Sequence, residues 1–353
     1  MKVLILGGTG AIGRYLVSLL AANDNSVHVT SRSAHQNSKN IKYIMGNAHS
    51  IPFISEVCSE KWDAIVDFMS YKTDEFKERH SILQNATKQY IYISSSRVYA
   101  DNEHPIKESS PRLWDVCSDK LYLTTDEYAL TKARQENVLF SSDKNNYTII
   151  RPYITYGTYR YQLGVMEKEE WLYRALHGRT ILFPYEIYER HTTITYGYDV
   201  AYAIYKIIGN PKAIGQVFHI TNKLALTWRD VFEIYKAIIC DLCGITLRIK
   251  LVSTADFLTL RAPDLIYQLK YDRMYDRLFD TEKETDYADA DKFLSPREGL
   301  EICLKDFISN PIWRGINWTF EARKDKLVNE RASLSEINGY KNILKYFISR
   351  YLR

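Results

Sequence analysis

The chain of 353 residues is poor in cysteine, with five residues in all, and it has no long apolar run. Cys58, Cys117, Cys240, Cys243 and Cys303 form an odd, scattered set, which argues against a disulfide framework and suits reduced thiols in the cytoplasm. Cys240 and Cys243 make a lone CxxC with no second pair and no histidine at zinc spacing, so two faces of one helix are expected there and no metal. The first apolar stretch, Val3 to Leu6, stops at Gly7-Gly8, and nothing later reaches spanning length, so no membrane association is read. An excess of charge of one sign is also missing. The 47 Lys and Arg nearly cancel the 43 Asp and Glu, and a net +4 is too small and dispersed to suggest a nucleic-acid footprint.

What is there is ordinary globular composition, 46% apolar and 25% charged, in a length suited to two packed domains. The 28 tyrosines are spread as amphipathic packing residues, so their number alone says nothing about catalysis. In the first half, short strand-like runs alternate with helical patterns, the rhythm of an α/β fold with a doubly wound parallel sheet. The runs are Val3 to Leu6, Val27 to Thr30, Ile41 to Met45, Ala64 to Phe68 and Tyr90 to Ser94, with a sixth at Thr148 to Arg151. Helices are expected over Ala11 to Ala22, Asp74 to Ala86 and Asp126 to Phe140, then Met166 to His177, Asp199 to Ile208 and Trp228 to Leu242. The spacing divides the chain into a dinucleotide-binding domain over 1–157, with segments around 186–220 returning to it, and a smaller, mainly helical substrate domain over 158–353.

Directly after the first strand comes Gly7-Gly8-Thr9-Gly10-Ala11-Ile12-Gly13. A strand-to-helix turn without side chains lets backbone N–H groups and the positive helix end approach a pyrophosphate, and the last glycine lets the helix pack closely, as in a Rossmann-like fold. At the end of the second strand, where a carboxylate would bind a free ribose 2′-hydroxyl, the chain reads Thr30-Ser31-Arg32-Ser33. Ser31 and Arg32 would suit a 2′-phosphate, favouring NADP over NAD, with NADH use left open. Phe68, at the end of the fourth strand, is a further candidate cofactor contact.

The fifth strand ends in Ser94-Ser95-Ser96-Arg97-Val98-Tyr99, which puts hydroxyls at the carboxyl edge of the sheet. Tyr128 and Lys132, four residues apart on one helix, would bring an ammonium near a phenol and make it a usable acid or base. Tyr202 and Lys206 repeat that spacing, yet no serine-ended strand of the sheet series stands before them, so packing is expected there. His191 and His219 are read as loop or packing histidines, and Trp171 and Tyr173 as core.

Together these motifs resemble the extended short-chain dehydrogenase/reductase superfamily, in its nucleotide-sugar epimerase, dehydratase and reductase branch. The resemblance is dense from Met1 to Gly157 and thin after Ala201. It implies that Gly7, Gly10 and Gly13 hold the cofactor pyrophosphate and that Ser95, Tyr128 and Lys132 carry proton transfer, with Ser96 and Arg97 toward the substrate. Two departures narrow the reaction. Ser96-Arg97 stands where 4,6-dehydratases have Asp-Glu, which speaks against water loss and for simple hydride transfer at a carbonyl. Ile154 stands where the family carries Asn, and Thr192 where it tends to place a phosphate-binding Arg, a role Arg190 could fill. The likeness implies NAD(P)H-dependent reduction of a nucleotide-diphosphate 4-keto-6-deoxyhexose, nearest to dTDP-4-dehydro-6-deoxyglucose reductases of O-antigen synthesis. It also implies a homodimer. The rivals are an epimerase with tightly bound NAD and a non-catalytic NADPH-sensing regulator.

Overall fold

The computed structural model describes residues 1–261 and 265–352. Two compact units emerge, each with its own core. The first comprises 1–157, 193–224 and 278–296. The piece 278–296 has no counterpart in the sequence reading.

The first unit is built on seven strands, labelled in chain order: β1 (Lys2–Leu6), β2 (Ser26–Ser31), β3 (Ile41–Met45), β4 (Trp62–Asp67), β5 (Thr87–Ile93), β6 (Tyr147–Pro152) and β7 (Gln216–Ile220). Every neighbouring pair is parallel, in the order β7-β6-β5-β4-β1-β2-β3. The order reverses between β1 and β4, and the loops leaving those strands flank the crevice where ligands of such sheets bind. Four helices bear on the site: α1 (Gly13–Ala22), α2 (Ile51–Val57), α3 (Thr73–Asn85) and α4 (Tyr128–Phe140).

Both sheet faces are covered, so the strands read as nearly unbroken apolar runs. Successive side chains of β1 point to opposite sides. Val3 and Ile5 join Leu16, Val17 and Leu20 of α1, while Leu4 and Leu6 join Ile54, Phe76, Leu83 and Leu139 of the other three helices. The helix over Asp199 to Ile208 is found as Gly197–Ile207, and its Val200, Ile204 and Ile207 complete the α1 side.

The second unit comprises 158–192, 225–277 and 297–353 and is mostly helical. It adds a two-stranded parallel sheet, Ile181–Pro184 with Ile249–Val252. Its helix Trp228–Cys243 starts in a capping box, Thr227 accepting from the Asp230 N–H while Asp230 accepts from the Thr227 N–H. Cys240 and Cys243 are free thiols on that helix. Only Leu172–Leu176 of the helix expected over Met166 to His177 forms. The Leu163 and Met166 backbones bridge each other, and the Glu170 carboxylate takes the Glu167 N–H at 3.0 Å, so the backbone closes turns there instead of a helix. None of the described helices is long and apolar enough to cross a membrane.

Candidate active site

The turn between β1 and α1 is made by backbone that side chains would spoil. Gly7 has φ +72°, and a Cβ on Gly13 would lie 2.7 Å from the Gly8 Cα, so the helix start is packed directly on the loop. At Gly10 a Cβ would meet nothing within 4 Å, and Thr9 and Gly10 are exposed, so this part of the loop is open to a ligand. Ala11 and Ile12 carry the chain into α1, which has no side-chain N-cap and no acid in its first turn to compete with an anion. The cradle therefore fits a dinucleotide pyrophosphate.

Beyond the loop, a cleft of about 420 Å³ is lined by residues that include Gly7, Thr9, Thr30, Ser31, Arg32, Ser33, His35, Asn47, His49 and Met69. The Ser31 hydroxyl takes the Ser33 N–H at 3.1 Å and bonds His35 at 3.0 Å, while Arg32 is exposed. Phe68, beside Gly7, packs partly buried against the core and is not among the residues lining the cleft. His35 and His49 were not singled out in the sequence, because their place beside the cleft depends on how the loops after β2 and β3 fold.

The serine run after β5 divides by direction. The Ser94 hydroxyl donates to Glu136 at 2.6 Å, and Ser96 donates to the Arg151 carbonyl at 2.7 Å. Ser96, expected toward the substrate, has no exposed surface and its hydroxyl is bonded inward. Ser95 caps the short helical turn Ser96–Val98, its oxygen accepting from the Arg97 N–H at 3.2 Å, and it keeps a little exposure.

Tyr128 opens α4, one residue after Glu127, whose carboxylate caps the helix by accepting the Ala129 N–H at 2.8 Å. Tyr128 is 41% exposed, and two cations flank its ring, the Lys132 ammonium 5.8 Å and the Arg97 guanidinium 5.4 Å from its centroid. Arg97 is tethered to Glu127 by an ion pair. Lys132 is buried, donates to the Ile93 carbonyl at 2.7 Å and stands 4.6 Å from the Tyr92 ring centroid. Burial lowers its pKa to about 8 against the opposing pull of Asp67 and Glu136. The control pair is instructive. Lys206 lies 5.7 Å from the Tyr202 ring, the same geometry, but its side chain is 40% exposed and paired with Asp289. Spacing makes both pairs, and burial separates them.

A family model described as the NAD dependent epimerase/dehydratase family matches residues 3–221. The chain belongs to that family. Among solved structures of the same fold are an epimerase from Methanothermobacter thermautotrophicus (TM-score 0.68, 18% identity, covering 88% of this chain and 92% of that one) and the UDP-glucuronic acid 4-epimerase of Bacillus cereus in complex with UDP-glucuronic acid and NAD (0.66, 15%, 88% and 100%). The dTDP-glucose 4,6-dehydratase of Bacillus anthracis in complex with NAD is similar at TM-score 0.65 and 17% identity, covering 89% and 98%. A curated relative, the chloroplast stem-loop binding protein of 41 kDa b of Arabidopsis thaliana, is 26% identical over 247 residues, 64% of this chain. The chain spans 60% of the length of that relative.

In this member of the epimerase/dehydratase family, charged groups hold the candidate site from behind. Glu136, one turn beyond Lys132, has no exposed surface and accepts from Ser94, from Arg151 at 2.8 and 2.7 Å and from Arg112 at 3.1 Å. Those donors hold its carboxyl below the usual range in spite of burial. His219 is buried with both ring nitrogens bonded, one facing the Tyr99 hydroxyl at 3.2 Å and the other the Asp280 carbonyl, which makes it a packing residue. Arg190 and His191 bond Asp276 within the second unit. Trp171 and Tyr173 are core residues of that unit. An arginine inside the apolar run of β6 and an acid four residues after Lys132 are sequence features that point to the Glu136 network, and neither was singled out.

Proposed function

We propose that the protein transfers hydride at C4 of a nucleotide-diphosphate sugar, reducing a 4-keto-6-deoxyhexose such as dTDP-4-dehydro-6-deoxyglucose. The observation that carries this reading is a buried Lys132 behind an exposed Tyr128 on the helix that faces the serine-ended strand β5. Gly7 to Gly13 would hold the pyrophosphate of a dinucleotide, Ser31 and Arg32 its adenosine ribose, and Phe68 its path toward Lys132. That group supplies the hydride when bound. Tyr128 donates its phenolic proton to the carbonyl oxygen, Ser95 donates a hydrogen bond to the same oxygen, and Lys132 keeps the phenol acidic and holds the nicotinamide ribose. Arg97, where a dehydratase would need an acid, supplies no proton acceptor, which favours hydride transfer without water loss. Arg32, exposed and cationic, favours NADPH.

A second reading keeps these residues in an epimerase that oxidises and re-reduces one sugar, favoured by the likeness to epimerases whose structures contain NAD. Purified protein mixed with NADPH or NADH and a panel of 4-keto sugar nucleotides should consume the coenzyme, read as loss of nicotinamide absorbance. Conversion of a UDP-hexose with no added coenzyme, by protein that releases NAD on denaturation, selects the epimerase. Neither result, together with binding of a nucleic-acid stem-loop, would move the function toward that of the curated relative's name.

A further inference from the structure

The strand β4, Trp62-Asp63-Ala64-Ile65-Val66-Asp67, ends in an acid with no exposed surface. Its Oδ1 accepts from the Met69 N–H at 2.9 Å and the Tyr71 hydroxyl at 3.3 Å, and its Oδ2 from the Tyr90 hydroxyl at 2.7 Å. All three partners donate. Three donors suit a carboxylate: burial pushes the Asp67 carboxyl up from its usual range, while these bonds and the Lys132 charge pull it down. An isolated carboxylate at this depth is strongly disfavoured and calls for a counter-ion.

Lys132 is a cation whose charge lowers the Asp67 carboxyl against burial, though the two form no direct ion pair. Its ammonium lies 3.5 Å from the carbonyl of Met69, the residue whose N–H Asp67 holds. The same turn packs on the glycine loop, since a Cβ on Gly7 would meet the Met69 Sδ at 3.0 Å. The other groups facing Lys132 are the Tyr92 and Tyr128 rings and Glu136, and Glu136 is already neutralised by Arg151 and Arg112. Those facing Asp67 are Tyr71 and Tyr90 and, more remotely, Tyr92 and Cys58. Burial holds Tyr71 and Tyr90 well above the usual phenol range, so they stay protonated and able to donate to it.

We propose that Asp67 is the buried counter-ion and positioning residue of Lys132, holding through the Met69 turn the ammonium that the Tyr128 chemistry requires; this rests on the roles given to Tyr128 and Lys132 above. Asp67 opposes the desolvation that pulls Lys132 down to about 8. Without it the ammonium would be lost closer to neutral pH, and the phenol would lose its cation.

The test is a pH titration by NMR of protein carrying 13C at lysine Cε, with the Lys132 signal assigned by its absence in Lys132→Met. The wild type should titrate near pH 8, and Asp67→Asn should titrate lower by about one pH unit or more. If Asp67→Asn does not fold, Asp67→Ser, which keeps an acceptor for the Met69 N–H but removes the charge, should give the same shift. A midpoint equal to that of the wild type in a folded variant overturns the proposal. The readout needs neither substrate nor coenzyme, so its failure is distinct from a failure to turn over sugars. In an active enzyme the alkaline limb of the pH–rate profile should move with the NMR midpoint.

Discussion

The Lys132 ammonium stands 5.8 Å from the Tyr128 ring centroid while bonded at 2.7 Å to the Ile93 carbonyl, so it is held in place by β5 whatever the phenol does. A cation fixed beside a half-exposed tyrosine acts on the phenol's acidity.

Tyr128→Phe should lower turnover by roughly a hundredfold to ten-thousandfold, the usual worth of a positioned acid or base. The residue is 41% exposed, so thermal stability should change little. Initial rates and a thermal melt on the same preparation check both, and a variant within about twofold of wild-type turnover would remove Tyr128 from the chemistry.

The pH dependence has opposite signs for activity and stability. Burial brings Lys132 from 10.5 in the unfolded chain to about 8 in the fold, so between these values the unfolded state binds more protons and this group's contribution to stability rises with pH. Turnover should fall across the same window as the ammonium is lost. Urea denaturation of wild type and Lys132→Met from about pH 7 upward should show the wild type gaining relative to the variant, and a pH-independent difference contradicts the assignment.

Glu136→Gln leaves Arg151, 2% exposed, without its carboxylate. Breaking one side of a buried ion pair costs about 3–5 kcal/mol, which chemical denaturation would detect as a clear drop in midpoint. A loss below about 1 kcal/mol would mean that the network is not what ties β5, β6 and α4 together.

Arg32→Ala should weaken NADPH binding about tenfold or more and leave NADH binding unchanged, because a charge-assisted bond to phosphate is worth about 1.5–3 kcal/mol. Fluorescence titration with each coenzyme measures it. Equal losses for both would take Arg32 away from the 2′-position.

The strands β1 to β6 were legible because each is a short apolar run ended by a polar residue or glycine, and the glycine turn because its position after β1 and before α1 gives it a meaning. The seventh strand, Gln216–Ile220, was not, since its Gln and His break the run and it enters the sheet beside β6 from far along the chain. The serines show the limit most clearly. As letters Ser94, Ser95 and Ser96 are equivalent, and what separates them is a carboxylate 42 residues away for Ser94 and a carbonyl 55 residues away for Ser96. Asp67 was passed over for the same reason. Its donors Tyr71 and Tyr90 and its cation Lys132 come from three different segments, and only the fold assembles them.

The most direct test of hydride transfer uses NADPH carrying deuterium at nicotinamide C4, incubated with a 4-keto sugar nucleotide and analysed by mass spectrometry and NMR of the sugar. One deuterium at sugar C4 with the wild type, arriving at least about a hundredfold more slowly with Tyr128→Phe, is the expected result. Sugar that stays unlabelled with every substrate and either coenzyme would contradict it.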